Sequence, residues 1–158
     1  MKILQRTLHT LLLLTAAASA VADDNYNYGP YSQKYTAECA SCHVAYPPQK
    51  LTKAGWNTQM SHLEQHYGTN AALDDATHQE ILAYLLSKAS NNAKDAPTEA
   101  SARLTKTRWF IKEHGTNPPR DSSFSNCSAC HTQADKGDYS ERNLRTPANW
   151  NHDEEDDD

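Results

Sequence analysis

Hydrophobic residues are scarce in this sequence of 158 residues. They make up 37% of the chain, only two residues are phenylalanine, and the mean hydropathy is −0.85. The main apolar stretch is the run Leu11–Leu14 with the alanines that follow it. Because a membrane-spanning helix needs about 20 consecutive apolar residues, the composition excludes a polytopic membrane protein. It also predicts a thin conventional core.

A surplus of positive charge is absent as well. The chain has 15 basic and 20 acidic residues, which gives a net charge of −5. Lys2 and Arg6 are the basic residues before Asp23, so the chain from Asp23 onward has 13 basic and 20 acidic residues and a net charge of −7. This balance argues against nucleic acid or an anionic membrane surface as a partner, and favours a basic docking surface.

Six consecutive carboxylates end the sequence, from Asp153 to Asp158. A run of like charges is usually a solvated tail, and we expect one here. The alternative is a docking segment for a basic partner, whose association would slow as the salt concentration rises.

No cysteine is left outside two pentapeptides, Cys39-Ala40-Ser41-Cys42-His43 and Cys127-Ser128-Ala129-Cys130-His131. Each is Cys-x-x-Cys-His, the attachment motif of a c-type haem. The two thiols form thioethers to one edge of a porphyrin, and the adjacent histidine reaches the iron as an axial ligand. The sequence therefore predicts two covalently bound haems.

Paired Cys-x-x-Cys motifs also occur in four-cysteine zinc sites, and a single one can be a redox dithiol. Both alternatives leave the histidine after each second cysteine without a role. The gap from Cys42 to Cys127 is also much longer than the spacings of zinc ribbons. We therefore favour haem over zinc, a dithiol or a disulfide.

The first 22 residues have the pattern of a secretory signal peptide. Lys2 and Arg6 supply the positive region, the leucine run supplies the apolar region, and Ala20-Val21-Ala22 supplies small residues for cleavage before Asp23. An uncleaved anchor is the alternative. Because haem attachment of this type follows export in bacteria, we expect a soluble periplasmic protein.

The remaining pattern is helical, and no alternating strand pattern is present. We predict a mainly α fold without significant sheet, built of two small cytochrome c-like haem domains over residues 23–94 and 95–152. Two buried macrocycles would supply the apolar surface that the composition lacks. Loss of the haems is therefore expected to unfold the protein.

The helices can be placed from their apolar spacing and end signals. We predict one helix after Gly29-Pro30 through Cys39, a second over residues 54–67 with Gly68 as its stop, and a third from Asp74 to about Ser87. Residues 88–101 form a linker. A short helix headed by Trp109 ends near Gly115, and the second haem motif lies on its own helix from about Ser123.

The sixth ligand of each iron decides its chemistry, since methionine raises the potential relative to histidine. Beyond the first residue the chain has one methionine, Met60, so at most one haem is His/Met. Met60 lies on the apolar stripe of the second helix, where a core role is commoner.

Five histidines remain as candidate sixth ligands: His62, His66, His78, His114 and His152. His62 and His66 lie one turn apart on the predicted second helix, so either could meet the first haem. His114 ends the helix that contains Trp109. We expect His78 in a solvated surface position and His152 exposed in the acidic terminus.

Several segments resemble the small bacterial DHC-type di-haem cytochromes c. In the first half these are Glu38–His43, Ala45–Pro48, Gly55-Trp56, His66-Tyr67-Gly68 and Ala83–Leu85. In the second half they are Trp109-Phe110, Glu113-His114, Asn126–His131 and Gly137–Ser140. The similarity covers nearly the whole chain after residue 22, and the His-Tyr-Gly segment is more specific than the haem motifs.

That resemblance implies two low-spin bis-histidine haems in separate small domains. It makes His66 and His114 the distal ligands beside His43 and His131, with a crossed pairing as the alternative. It also implies electron transfer with other haem proteins, namely a membrane cytochrome b and a small monohaem cytochrome c as partners.

A haem iron that is bound by a histidine on each side has no free position for a substrate. We therefore predict an electron carrier and not an enzyme. The alternative is a di-haem enzyme or gas-binding cytochrome with one open haem, such as a peroxidase. Such peroxidases are much larger chains, and the surplus of histidines favours closure.

Overall fold

The computed structural model describes residues 26–119 and 122–145. Its four α-helices are α1 (Gln33–Cys39), α2 (Lys53–Ser61), α3 (Asp75–Lys88) and α4 (Arg108–His114). Short 3-10 turns lie at Pro48–Lys50, Leu63–Gln65, Ala93–Asp95, Leu104–Lys106, Cys127–Ala129, Ala134–Lys136 and Glu141–Asn143. The described residues contain isolated β-bridges and no β-strand, which confirms the mainly α prediction.

A polar side chain caps the start of each α-helix. Ser32, Thr52, Asp74 and Thr107 accept hydrogen bonds from backbone N–H groups in the first turns of α1, α2, α3 and α4. Each such cap satisfies a donor that the helix cannot pair, and is worth about 1 kcal/mol. The caps explain why such short helices begin where they do.

The main core lies in the first half, where α1, α2 and α3 meet. Its largest fully buried side chains are Leu51, Ile81 and Leu85. Trp56 is also buried, and its indole N–H donates to the backbone oxygen of Pro48 at 2.8 Å. The segment before α2 is thereby fixed against the helix.

The second half has a smaller core. Among its described residues, the buried hydrophobic side chains are Ala102, Leu104, Phe110 and Ala134. Thr107, which caps α4, is fully buried and donates its hydroxyl to the backbone oxygen of Leu104 at 2.9 Å. One α-helix and several turns thus surround a space that these side chains do not fill.

The beginning of the described chain crosses to the second half. Tyr28 N–H donates to the oxygen of Gly137 at 2.8 Å, and Tyr139 N–H donates to the oxygen of Tyr26 at 3.0 Å. A Cβ on Gly29 would lie 2.1 Å from the oxygen of Lys136, so this backbone approach requires glycine. The predicted division at residues 94 and 95 stays a prediction.

Two helix predictions are wrong. The second helix ends at Ser61 and not at Tyr67, because the chain turns into the 3-10 segment Leu63–Gln65. The second haem motif lies on no α-helix from Ser123, and only Cys127–Ala129 forms a 3-10 turn. Within the two described segments, no helix is both long and apolar enough to span a membrane.

Candidate haem-binding sites

Two cavities formed by the described residues each contain one Cys-x-x-Cys-His motif. The first has a volume of about 600 Å³ and is lined by Cys39, Cys42, His43 and His66, among other residues. The second has a volume of about 740 Å³, and its corresponding lining residues are Cys127, Cys130, His131 and His114. Both volumes fall within the range of about 300–1,000 Å³ that is usual for cofactor sites.

In the first cavity, α1 ends at Cys39 and the chain then turns through Cys42 to His43. Nδ1 of His43 lies 2.8 Å from the oxygen of Val44, so Nδ1 carries the proton and the lone pair of Nε2 is free for a metal. The ring of Tyr46 stacks on the His43 ring, with centroids 4.7 Å apart and an interplanar angle of 23°. The ring of His43 is therefore held in one orientation.

His66 faces His43 across the first cavity. Their ring centroids are 6.4 Å apart, and the ring planes differ by 24°. Metal–imidazole nitrogen bonds are about 2.0 Å long, so two imidazoles on opposite sides of one metal ion have centroids roughly 6 Å apart. Burial lowers the pKa of His66, as do His43 and Arg103 nearby, and the neutral imidazole is the form that binds metal.

His114 and His131 face each other in the second cavity. Their ring centroids are 6.0 Å apart, with the planes inclined by 59°. His114 is the last residue of α4, and its ring stacks on Phe110 with centroids 4.2 Å apart and an angle of 9°. Phe124 meets the Phe110 ring edge-on at 5.1 Å. Each motif histidine therefore lies opposite the candidate that is nearer to it in the chain: His43 opposite His66, and His131 opposite His114. This is not the crossed arrangement.

The Nδ1 atom of His131 is buried and makes no hydrogen bond to any other described atom of the protein. Burial also lowers the pKa of this histidine. An unpartnered buried nitrogen is costly unless something else satisfies it. Nδ1 of His131 thus lacks the hydrogen bond that Nδ1 of His43 makes to the oxygen of Val44, and burial disfavours the charged form of its ring.

The thiols do not have the properties of a zinc or dithiol site. Burial raises the pKa of Cys39 and of Cys127 to about 11, and the charge of Glu38 adds to the effect at Cys39. Reactive thiols have lowered pKa values instead. No three His, Cys, Asp or Glu residues of the described segments are arranged to hold a metal ion. The residues present fit a macrocycle between facing imidazoles better than a zinc ion.

The other histidine predictions have mixed outcomes. His62 is exposed, and it does not line the first cavity. Its Nδ1 lies 2.9 Å from the oxygen of Thr58. Because α2 ends at Ser61, no helical turn connects His62 to His66. The prediction that both share one helical face is wrong. His78 is half-buried, with Nε2 3.0 Å from the oxygen of Met60, so its predicted solvated position is also wrong. His152 lies outside the described residues.

Met60 is 5% exposed and belongs to the core cluster, and it also lines the first cavity. The core position agrees with the apolar stripe of α2. Its backbone oxygen contacts His78, which fixes the second helix against the third.

Two aromatic side chains for which the sequence predicted no role at the cavities lie between them. Tyr46 and Phe124 line both of them. A cation also reaches each cavity: Arg103 lines the first, and Lys50 lines the second with its Nζ 3.9 Å from the centroid of the Trp109 ring. These residues have no motif spacing, and only the fold brings them to the sites.

The helical fold and the two motif-containing cavities define a c-type cytochrome with two haems. A sequence model of the dihaem cytochrome c family, DHC, matches residues 35–139. The chain belongs to this family, which carries two covalently bound haem c groups with iron and consists generally of electron carriers.

Solved structures of similar proteins agree with this assignment. The chain is 34% identical to the diheme cytochrome c of Shewanella baltica OS155, with 78% of this chain and 100% of that chain covered and a TM-score of 0.63. It is 34% identical to DHC purified from Rhodobacter sphaeroides, with 68% and 96% covered and a TM-score of 0.59. No curated protein is significantly similar to this chain.

Proposed function

We propose that this protein is a periplasmic electron carrier with two bis-histidine haems of low potential. The observation that carries the proposal is the separation of the facing imidazoles, 6.4 Å for His43 and His66 and 6.0 Å for His114 and His131. Both separations suit one metal ion bound from two sides. Closed irons of this kind leave no coordination position for a substrate.

The residues of each cavity have distinct tasks. Cys39 and Cys42 would form the thioethers of the first haem, and Cys127 and Cys130 those of the second. Haem iron supplies reversible one-electron chemistry. With haem bound, the facing imidazoles would exclude water from the iron in both oxidation states, so little structural reorganisation would accompany electron transfer.

Hydrogen bonds at Nδ1 adjust how strongly the opposite ring nitrogen of these histidines binds a metal. The oxygen of Val44 accepts from Nδ1 of His43 at 2.8 Å, and the oxygen of Phe110 lies 3.3 Å from Nδ1 of His114. Such bonds fix the ring and raise the basicity of the coordinating nitrogen. A more basic ligand favours ferric iron, which supports the low potential proposed here.

The partners that we propose are a membrane cytochrome b and a small monohaem cytochrome c. The acidic balance of the chain supports docking to basic surfaces of such haem proteins. The signal-peptide pattern before Asp23 supports export. Amino-terminal sequencing of the protein from a periplasmic fraction is expected to start at Asp23.

Carbon monoxide tests the closed coordination directly. The reduced protein is expected to show a low-spin spectrum that changes little when carbon monoxide is added, because both faces of each iron are occupied. A high-spin spectrum at rest, or an immediate shift on adding the gas, would show an open haem and overturn the proposal. A potentiometric titration of the same sample would give the two potentials.

A further inference from the structure

The loop that contains His66 has an unfavourable local conformation. After the 3-10 turn Leu63–Gln65, the chain makes a tight turn in which Thr69 N–H donates to the oxygen of His66 at 3.0 Å. Tyr67 and Gly68 at its centre have φ angles of +49° and +96°. Turns of this type favour asparagine or glycine at the first of these positions. A tyrosine there needs contacts from elsewhere to hold it.

Those contacts come from the segment that begins the second half. The hydroxyl of Tyr67 donates to the backbone oxygen of Ser101 at 2.7 Å. Gln59, from α2, places its amide nitrogen 2.9 Å from the oxygen of Ser101, 2.7 Å from the oxygen of Ala102 and 2.6 Å from the hydroxyl of Tyr67. The bonds to Ser101 and Ala102 join residues 34 to 43 positions apart in the chain.

The partner segment is itself shaped for this contact. Ala102 is 2% exposed and has a φ angle of +54°, which is also rare for a residue with a side chain. This backbone turns two consecutive carbonyl groups toward Gln59. The guanidinium of Arg103 lies 3.8 Å from the centroid of the Tyr67 ring, within the distance of a cation–π contact. We call Gln59, Tyr67, Ser101, Ala102 and Arg103 the clasp.

The clasp acts on the turn that presents His66. The Tyr67 ring meets the His66 ring edge-on with centroids 4.8 Å apart, and His66 faces His43 on its other side. We propose that the clasp positions His66 as the sixth ligand of the first haem, so that ligation in the first half depends on contact with the second half. This inference rests on the bis-histidine function proposed above.

The variant Tyr67→Phe tests the clasp with the least disturbance. It removes the hydroxyl and keeps the ring against His66 and Arg103. Because one hydrogen bond near the surface is lost, we expect carbon monoxide to bind one of the two reduced haems about threefold to tenfold faster than in the unmodified protein. Gln59→Leu is expected to have an effect at least as large, since it removes the bonds to both carbonyl groups. Tyr84→Phe is the control, because Tyr84 lies on α3 against the ring of Tyr35 and lines neither cavity.

A double-variant cycle distinguishes positioning from general loosening. If the clasp acts through His66, then Tyr67→Phe adds nothing to carbon monoxide binding once His66→Gly has already opened the first haem. Equal acceleration at both haems, additive effects in the cycle, or binding by the clasp variants at the unmodified rate would overturn the inference. Immediate binding by the unmodified protein would instead overturn the proposed closed coordination, so the two failures are distinguishable.

Discussion

The two proposed distal histidines are held in different ways. His114 ends α4, lies 3.3 Å from the oxygen of Phe110 one turn earlier, and stacks on that residue's ring. His66 lies in a turn outside any α-helix, and long-range contacts to residues 101–103 hold that turn. The same coordination chemistry can therefore depend on one helical turn or on the packing of distant segments.

The motif histidines differ as well. Nδ1 of His43 has the oxygen of Val44 as a partner, whereas Nδ1 of His131 is buried without one among the described protein atoms. A hydrogen bond at this nitrogen strengthens the opposite nitrogen as a donor. In the first site, the motif histidine His43 has a hydrogen-bond partner, and distant residues hold the proposed distal ligand His66. In the second site, the motif histidine His131 lacks such a partner, and His114 is held within its own helix.

The largest expected difference between the halves follows loss of a haem. The first half has a buried cluster that includes Leu51, Trp56 and Ile81, while the described part of the second half has few buried side chains. The double variant Cys127→Ala/Cys130→Ala is therefore expected to leave the second half as accessible to protease as an unfolded chain, with the first half protected. Limited proteolysis with mass spectrometry measures this.

The matched double variant Cys39→Ala/Cys42→Ala should give the smaller effect, with partial protection of α1 to α3. Equal protection of both halves in the two variants would contradict the idea that the second haem replaces a protein core.

Exchange of each proposed distal ligand for methionine sharpens the comparison of potentials. His66→Met and His114→Met are each expected to raise one of the two potentials by on the order of 100 mV, within the range of about 0.8 V over which axial ligands act. Methionine is the weaker donor to ferric iron, which explains the direction. A potentiometric titration of both variants is the measurement.

Each variant should alter a different one of the two centres. Unchanged potentials in the His66→Met protein would remove His66 from the ligand set, and a shift of the same centre in both variants would contradict one histidine per haem.

Phe110 supports the local arrangement in the second half. It is 5% exposed and stacks on His114, so Phe110→Ala is expected to lower the free energy of unfolding by about 3–5 kcal/mol. It should also speed carbon monoxide binding at the second haem. Denaturant titration followed by circular dichroism gives the stability change.

Phe110→Leu is the control, because it keeps most of the buried volume and loses the stacked ring. If Phe110→Leu and Phe110→Ala cost the same, the ring contact with His114 accounts for the effect and the cavity does not.

The smallest effects concern two carboxylates, the exposed Asp74 in the first half and the half-buried Asp138 in the second. Hydrogen bonds from Thr77 lower the pKa of Asp74, and hydrogen bonds from Ser140 lower that of Asp138. The unfolded chain therefore binds a proton at these carboxylates at a higher pH than the folded protein does. Their contribution to stability is fully present above the ordinary pKa of 3.8 and is lost as the pH falls through the lower pKa of the folded protein. Asp74→Asn and Asp138→Asn are each expected to reduce this acid sensitivity.

Unfolding midpoints measured from pH 5 to pH 2 would detect the change. The Asn side chain still caps a helix start, so Asp74→Asn should differ little from the unmodified protein at neutral pH. A steeper loss of stability in acid for either variant would have the wrong sign.

Short-range chemistry could be predicted from the sequence alone. The two Cys-x-x-Cys-His motifs predicted two covalent haems, which membership of the dihaem cytochrome c family confirms. The start of α3 after Asp74 and the end of α4 before Gly115 follow from caps whose partners lie within three or four residues. These features need only covalent spacing or one turn of backbone.

The errors occurred where distant parts of the chain compete with local pattern. The apolar spacing extended the second helix to Tyr67 and left His62 as a rival of His66, but the chain leaves the helix at Ser61. The second haem motif forms only the 3-10 turn Cys127–Ala129, and its cysteines and histidine line the second cavity.

The sequence by itself determined the number of haems, their covalent attachment and the helical class, because each depends on residues a few positions apart. The tertiary structure decided which candidate histidine lies opposite each motif histidine. It also placed Tyr46 and Phe124 between the cavities and brought the clasp together at the turn of His66. Contacts between residues 34 or more positions apart have no fixed spacing, so only the packing of the whole chain selects them.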